Sequence, residues 1–200
     1  MAKHIIGAVL AGGQGIRLGT PHKGLHCHSP GKTVLEHVIG EIHKAGISDV
    51  VISANDPAPY RPFDKTIIAD TYPGKGPLAG IEAVLAYAAE NTPANNVLFL
   101  PSDLPGANAE LVSRLVQTLS QNNADVLYAV EQLTGRPHSL CCVVPLNALK
   151  AIRNAVKQDR CRVTPLWNEL GCQKVAFDNA SLFFNINTPA DLAAWQRDSQ

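Results

Sequence analysis

The densest group of chemistry-bearing residues in this 200-residue chain is the run Leu10-Ala11-Gly12-Gly13-Gln14-Gly15-Ile16-Arg17-Leu18-Gly19, followed by Lys23. Its glycines let backbone amides approach a ligand closely. A concave run of such amides binds phosphate, and Arg17 and Lys23 add fixed positive charge to the same loop. The plainer alternative is a glycine-rich turn with solvated cations. Two familiar phosphate loops do not fit. The dinucleotide fingerprint needs a third glycine where Leu18 stands. The P-loop needs a glycine at the position of His26, although Gly31-Lys32-Thr33 matches its tail.

Other polar groups recur just after apolar runs. Asn55 follows one and Asp70 another, the latter leading into Gly74-Lys75-Gly76-Pro77-Leu78-Ala79-Gly80. Asp103 stands between Pro101 and Pro105, and Asn185 and Asn187 close a late apolar segment. A lone aspartate after a strand is commonly a turn residue. Beside a phosphate loop, Asp103 reads as a magnesium ligand, because Mg²⁺ takes one or two carboxylates plus substrate phosphates. His22, His26, Cys27 and His28 form a histidine-rich loop without a second ligand pair at a recognised metal spacing. They read as ordinary polar loop residues. Arg136 and His138 precede an apolar run, where either could line a substrate surface or sit at an exposed edge.

These groups need a scaffold that brings them together, and the apolar patterning supplies one. Residues 5–10 form a continuous apolar run, the mark of a strand buried on both faces. Further strands are expected at 50–54, 66–69, 97–100, 125–130, 140–144 and 182–186. Between them run helical stripes through Leu35, Val38, Ile39 and Ile42; Leu78, Ile81, Leu85 and Ala88; Leu111, Leu115 and Leu119; and Leu146, Leu149, Ile152 and Val156. Thr33 with Glu36 forms a capping-box pattern, Asn108 is a plausible N-cap, and Thr188-Pro189-Ala190-Asp191 opens a terminal helix. This alternation predicts an α/β fold: a Rossmann-like three-layer sandwich, its mostly parallel sheet covered by helices on both faces. In such folds ligands sit beyond the carboxyl ends of the strands, where these polar groups fall.

Composition narrows the function class. Apolar residues make up 46% and charged residues 17%, which excludes a disordered chain. Seventeen basic residues balance seventeen acidic ones, so there is no overall charge drawing the chain to nucleic acid. No apolar run is long enough to span a membrane, and the apolar stretch after Met1 is too short for a signal-peptide core. The five cysteines form no Cys-x-x-Cys pair, consistent with free thiols and a cytoplasmic location. Cys141 and Cys142, adjacent on a strand, should point to opposite faces. No stretch reads as a linker, so residues 1–200 are expected to form one domain.

The loop Leu10-Ala11-Gly12-Gly13-x-x-x-Arg17-Leu18-Gly19-x-x-x-Lys23 resembles the signature loop of Rossmann-like nucleotidyltransferases. Gly76-Pro77-Leu78-Ala79-Gly80-Ile81, Ser102-Asp103-Leu104-Pro105 and Asn185-Ile186-Asn187-Thr188-Pro189-Ala190-Asp191 come after it in order. Together they are similar to the molybdenum cofactor guanylyltransferases, over nearly the whole chain. The resemblance implies transfer of GMP from GTP to the terminal phosphate of molybdopterin. It implies nucleotide contacts at Leu10, Ala11, Gly12, Gly13, Lys23, Asn55, Asp70 and Asp103. Arg17, Lys23 and Asp103 would be catalytic, with Mg²⁺ on Asp103. Acceptor contacts are expected at Arg136, His138, Asn185 and Asn187. A nucleotide-binding half would cover about 1–107 and an acceptor-binding half about 108–200. Delivery proteins or molybdoenzyme chaperones would be partners. Departures from the family pattern occur at His22, Ser53 and Ser139. The competing enzymatic readings are cytidylyl transfer to molybdopterin or nucleotidyl transfer to a sugar phosphate. A nucleotide-binding module without chemistry fits less well, because Lys23 and Asp103 are both present.

Overall fold

The computed structural model describes residues 4–12, 23–29, 31–121, 126–186 and 188–198. The first strand, β1 (Ile5–Leu10), is followed by a 3₁₀ turn at Lys23–Leu25 and a small antiparallel hairpin, β2 (Cys27–Ser29) and β3 (Lys32–Thr33). Then come α1 (Val34–Lys44), β4 (Val50–Ser53), a 3₁₀ segment at Ala58–Phe63, β5 (Ile67–Ile68), α2 (Pro77–Asn91) and β6 (Asn96–Pro101). The remainder is α3 (Ala109–Gln121), β7 (Leu127–Glu131), β8 (Pro137–Pro145), α4 (Leu149–Lys157), α5 (Val163–Glu169), β9 (Gln173–Phe177) and α6 (Pro189–Asp198).

The large sheet has the order β5-β4-β1-β6-β8-β7-β9. All its neighbours pair in parallel except β8, which runs antiparallel to both β6 and β7. The expected three-layer α/β arrangement is therefore present. Alternation along the strands splits the core between two faces. Val9, Ile52, Leu98, Leu100 and Cys141 pack with α1 and α3 on one face. Ile6, Ala8, Leu10, Phe99 and Cys142 pack with α2, α4 and Trp167 of α5 on the other. Cys141 and Cys142 thus point to opposite faces, and all five cysteines are free thiols.

Several helix ends follow from local chemistry. The Thr33 side chain accepts from the Glu36 amide while the Glu36 carboxylate accepts from the Thr33 amide, a reciprocal cap that starts α1. Asn108 accepts from the Leu111 amide at the start of α3. Thr188 and Asp191 form the same reciprocal pair before α6.

One expected strand does not form. Residues 182–186 do not join the sheet: Ala180–Phe183 is a 3₁₀ turn, started by Asn179 bonding the Ser181 amide and hydroxyl. The last strand is β9, an edge strand with only Val175 and Phe177 buried. The apolar run at 182–186 is buried because it packs under the sheet edge, and the polar residues of β9 hid a true strand. The stretch containing Leu146 is a 3₁₀ turn ahead of α4, and α5 and the β2–β3 hairpin carry no strong periodic signal.

Candidate functional site

The sheet order places β1 between β4, which follows it in the chain, and β6, reached only after β5 and α2. The strand order reverses there, and such a switch point opens a crevice beyond the strand ends. Register fixes its walls. Leu10 pairs with Ser53 on one side and Pro101 on the other. The Ala11 amide donates to the Ser53 carbonyl at 2.9 Å, and the Ser102 amide to the Leu10 carbonyl at 3.0 Å. The three strand exits are thereby laced together. A cleft of about 750 Å³ lies over them, large enough for a nucleotide-sized ligand. A smaller hollow of about 240 Å³ lies beyond the opposite ends of the strands, beside Asp49, Asp64 and Lys65. That is the wrong edge for a ligand in this fold class.

Leu10, Ala11, Gly12, Lys23, Asn55, Asp70 and Asp103 all line the large cleft. Most of the residues expected from sequence to hold a nucleotide therefore converge. Gly13, Arg17, His22 and Asn187 lie outside the described residues.

Lys23 and Asp103 face each other, with Nζ 3.7 Å from Oδ2. Their approach has a packing cause. Gly24 lies so close to Ser102 that an added Cβ would sit 2.7 Å from the serine Cβ. A glycine there lets the Lys23 segment seat directly on the β6 exit. Burial pushes the Asp103 carboxyl above its usual range, and the Lys23 charge opposes that shift. The carboxylate is thus held in a half-dry position with one cation beside it.

Asn55 and Asp70 form a second unit. The Asn55 Nδ2 donates to Asp70 Oδ2 at 2.8 Å, and the Asp70 amide donates to Asn55 Oδ1 at 2.8 Å. This two-way bond ties the β4 exit to the β5 exit. Burial raises the Asp70 pKa and the Asn55 bond opposes it. The pair presents fixed, oriented polar groups to the cleft wall. Beside them, Gly76, Pro77 and Gly80 bring the amino end of α2 to the cleft. Gly76 gives that helix no side-chain cap. Amides at a helix start carry partial positive charge and suit phosphate.

Sequence reasoning missed several lining groups. Ser53 and Ser102 are buried residues that line the cleft. Tyr60 lies under the floor, its hydroxyl donating to the Ala11 carbonyl at 3.1 Å, with a pKa pushed up to about 12 by burial. It fixes the backbone of the glycine loop from beneath. The strand-exit rule could have found both serines. Tyr60, seven residues beyond β4 in a 3₁₀ segment, left no pattern to read.

The remaining expected residues form a neighbouring group and do not line the cleft. His138 starts β8 at the same sheet edge, because β8 runs antiparallel to β6. Its Nε2 bonds Glu131 Oε1 at 3.0 Å, and its ring stacks on Phe183 with centroids 3.9 Å apart. Burial lowers the His138 pKa and Glu131 opposes that. Arg136 is exposed beside it, and its carbonyl accepts from the Glu131 amide. Asn185 is exposed, and the next residue, Ile186, donates its amide to the Asp103 carbonyl at 3.1 Å. The Asn185 segment thus runs alongside Asp103, and Leu140 of β8 reaches the cleft itself.

The described residues contain no cluster of three or more His, Cys, Asp or Glu able to cage a metal. Asp103, the cleft carboxylate beside Lys23, suits Mg²⁺, which binds through one or two carboxylates and keeps waters in its shell.

This architecture is shared with known proteins. A MobA-like NTP transferase domain model matches residues 7–167. A molybdenum cofactor guanylyltransferase from Rhodopseudomonas palustris is 36% identical over 192 residues, covering 92% of this chain and 87% of that protein. One from Yersinia pestis is 34% identical over 200 residues, covering 98% and 97%. The crystal structure of molybdopterin-guanine dinucleotide biosynthesis protein A from Archaeoglobus fulgidus superposes with a TM-score of 0.78 at 22% identity, covering 96% and 97%. With its strand exits arranged as they are and its family model spanning most of its length, the chain belongs to the MobA-like NTP transferase family.

Proposed function

We infer that this chain is a nucleotidyltransferase that moves GMP from GTP to the terminal phosphate of molybdopterin, releasing pyrophosphate. The observation that carries the chemistry is the Lys23–Asp103 pair at the switch-point cleft, 3.7 Å apart and partly withdrawn from water. The choice of guanine and pterin rests on the relatives, whose sequences match at 34–36% identity over most of the chain.

The acceptor supplies its own nucleophile. A phosphate monoester carries nearly two negative charges at neutral pH, so its oxygen attacks without a general base. That oxygen bonds to the α-phosphorus of GTP. The bond from the α-phosphorus to the β-bridging oxygen breaks, and its electron pair leaves with pyrophosphate. The protein's task is alignment and charge neutralisation. Leu10, Ala11, Gly12 and Gly13 would hold the nucleotide through backbone groups. Asn55 and Asp70 would orient its nucleoside portion. Lys23 would neutralise phosphate oxygens, with Arg17 on the same loop. Asp103 would hold Mg²⁺, which when bound polarises phosphoryl oxygens as a Lewis acid.

Arg136, His138, Asn185 and Asn187 would receive the acceptor. The stacked His138–Phe183 pair offers a flat surface to a planar heterocycle, and Arg136 a cation for its phosphate. Residues from about 1–107 would thus serve the nucleotide and about 108–200 the acceptor. A labile cofactor calls for delivery proteins or molybdoenzyme chaperones as partners, and the reaction belongs in the cytoplasm. No helix among the described residues is long and apolar enough to cross a membrane.

Thermal unfolding with GTP, CTP, ATP and UTP, each with and without Mg²⁺, tests the nucleotide assignment. A ligand at about 100 times its dissociation constant adds roughly 2.7 kcal/mol. At roughly 2–4 °C per kcal/mol for this size, the midpoint should rise by about 5–10 °C with GTP and Mg²⁺. A larger rise with CTP or UTP would replace guanine and keep the chemistry. No rise with any of them would contradict a preformed nucleotide cleft.

A further inference from the structure

The loop before α2 carries two glycines at positive φ, and one side chain between them ties it to another element. Gly74 and Gly76 both have positive φ, 79° and 68°, and nothing lies within 4 Å of where a Cβ would stand on either. No neighbour packs against either glycine where a side chain would stand, and both line the cleft. Lys75, between them, does not line it. Its ammonium turns away and pairs with the Asp159 carboxylate.

Asp159 is not the residue its place favours most. It lies just past α4, where Asp159 N donates to the Val156 carbonyl and Arg160 N to the Ala155 carbonyl. Its φ is 59°, the left-handed position at a helix end that glycine usually fills. Glycine is preferred there, and aspartate is one of the few residues with a side chain that tolerates it. A carboxylate at the carboxyl end of a helix also meets the unfavourable end of the helix dipole. Glycine would serve the turn; aspartate adds a partner for Lys75.

The anchor beneath the pair is firm. Arg153 of α4 bonds Glu82 of α2 at 2.6 Å, and Glu82 is wholly buried. The two helices are thus locked, and Asp159 stands at a fixed position relative to the start of α2. We propose that Lys75 and Asp159 are positioning residues for the nucleotide: their ion pair holds the Gly74–Gly76 loop in the shape that completes the cleft wall. This rests on the reading of the cleft as a nucleotide site. The pair touches neither substrate nor reacting atoms. Its loss should weaken nucleotide binding and leave the chemical step alone.

The test uses the full chain with Mg²⁺ and GTP, comparing wild type, Lys75→Ala, Asp159→Gly and the double variant. Titration calorimetry at low ionic strength should show each single variant weakening GTP by roughly two- to five-fold, the range of one exposed ion pair. The double variant should be no worse than either single one, because both remove the same contact. In turnover, KM for GTP should rise by the same factor with kcat unchanged. Asp159→Gly should meanwhile unfold at no lower temperature than wild type, since glycine relieves the left-handed turn; a purely structural role would not separate stability from affinity in this way. If Lys75→Ala weakens GTP while Asp159→Gly tightens it or leaves it unchanged, Lys75 is a direct phosphate ligand and the inference is overturned. Unchanged affinity in both single variants overturns it as well. If wild type itself takes up no nucleotide, the cleft reading falls and the inference falls with it.

Discussion

Asp103→Asn abolishes turnover, by about 10³-fold or more, and yet leaves the nucleotide-free protein at least as stable as wild type at neutral pH. If Asp103 holds Mg²⁺ as proposed, the loss of activity follows from the loss of that ligand. Lewis-acid stabilisation of phosphoryl oxygens supplies several kcal/mol, and each 1.36 kcal/mol is tenfold in rate. The stability half of the result follows from the shift of the carboxyl. Burial raises the Asp103 pKa more than Lys23 lowers it. The folded value therefore lies above the unfolded value of about 3.9. A group shifted that way favours the fold when protonated. Its contribution is fully present below the unfolded value and lost as pH rises through the folded one. At pH 7 the ionised carboxylate is a net cost to folding, and asparagine removes it. Unfolding of both proteins in EDTA, at pH 4 and at pH 7, checks this. The variant should gain on wild type between the two pH values. A variant that is markedly less stable at pH 7 would mean that Asp103 is a structural residue, and its lost activity would then say nothing of metal.

Lys23→Ala lowers kcat/KM by about 10²–10³-fold, the usual cost of removing one fixed donor from a developing phosphate charge. The lysine is three-quarters buried and faces Asp103 across 3.7 Å, so the cleft gives its charge less water to compete with. Lys23→Arg should restore part of the activity, since it keeps the charge and alters the donor geometry. Steady-state kinetics with GTP varied at saturating acceptor measures both variants. A loss confined to KM would make Lys23 a binding residue only. Equal activity of Lys23→Ala and wild type would remove it from the site.

Much of this site was legible because strand exits are legible. The continuous apolar run at Ile5–Leu10 located the central strand, and the ligand rule for open α/β sheets then pointed to the residues just past each strand end. Lys23, Asn55, Asp70 and Asp103 were found that way, and the cleft gathers all four. The pairing of Asn55 with Asp70 was not legible. It depends on β5 lying next to β4, and two residues of pairing leave no pattern to specify that register. Nor was the role of Tyr60, whose bond to Ala11 joins residues 49 apart in sequence.

The strand expected at 182–186 shows the limit of apolar runs. Leu182, Phe183 and Ile186 are buried, so the signal of burial was right. Burial under a sheet edge and burial within a sheet look alike in sequence, and the Asn179 turn decided between them. The real edge strand, Gln173–Phe177, is half polar because one side meets solvent. His138 was found as a candidate by position, but its partners Glu131 and Phe183 come from two other segments. They give the ring its orientation, and no spacing rule joins them.

The proposed reaction joins GMP to a phosphate on a pterin. The direct measurement mixes the purified chain with Mg²⁺, molybdopterin and equal GTP and CTP, then identifies the products by mass spectrometry while counting pyrophosphate. The expected product is molybdopterin guanine dinucleotide, with one pyrophosphate for each dinucleotide formed and little cytosine product. A cytosine dinucleotide in excess, or pyrophosphate released with no dinucleotide at all, would contradict it.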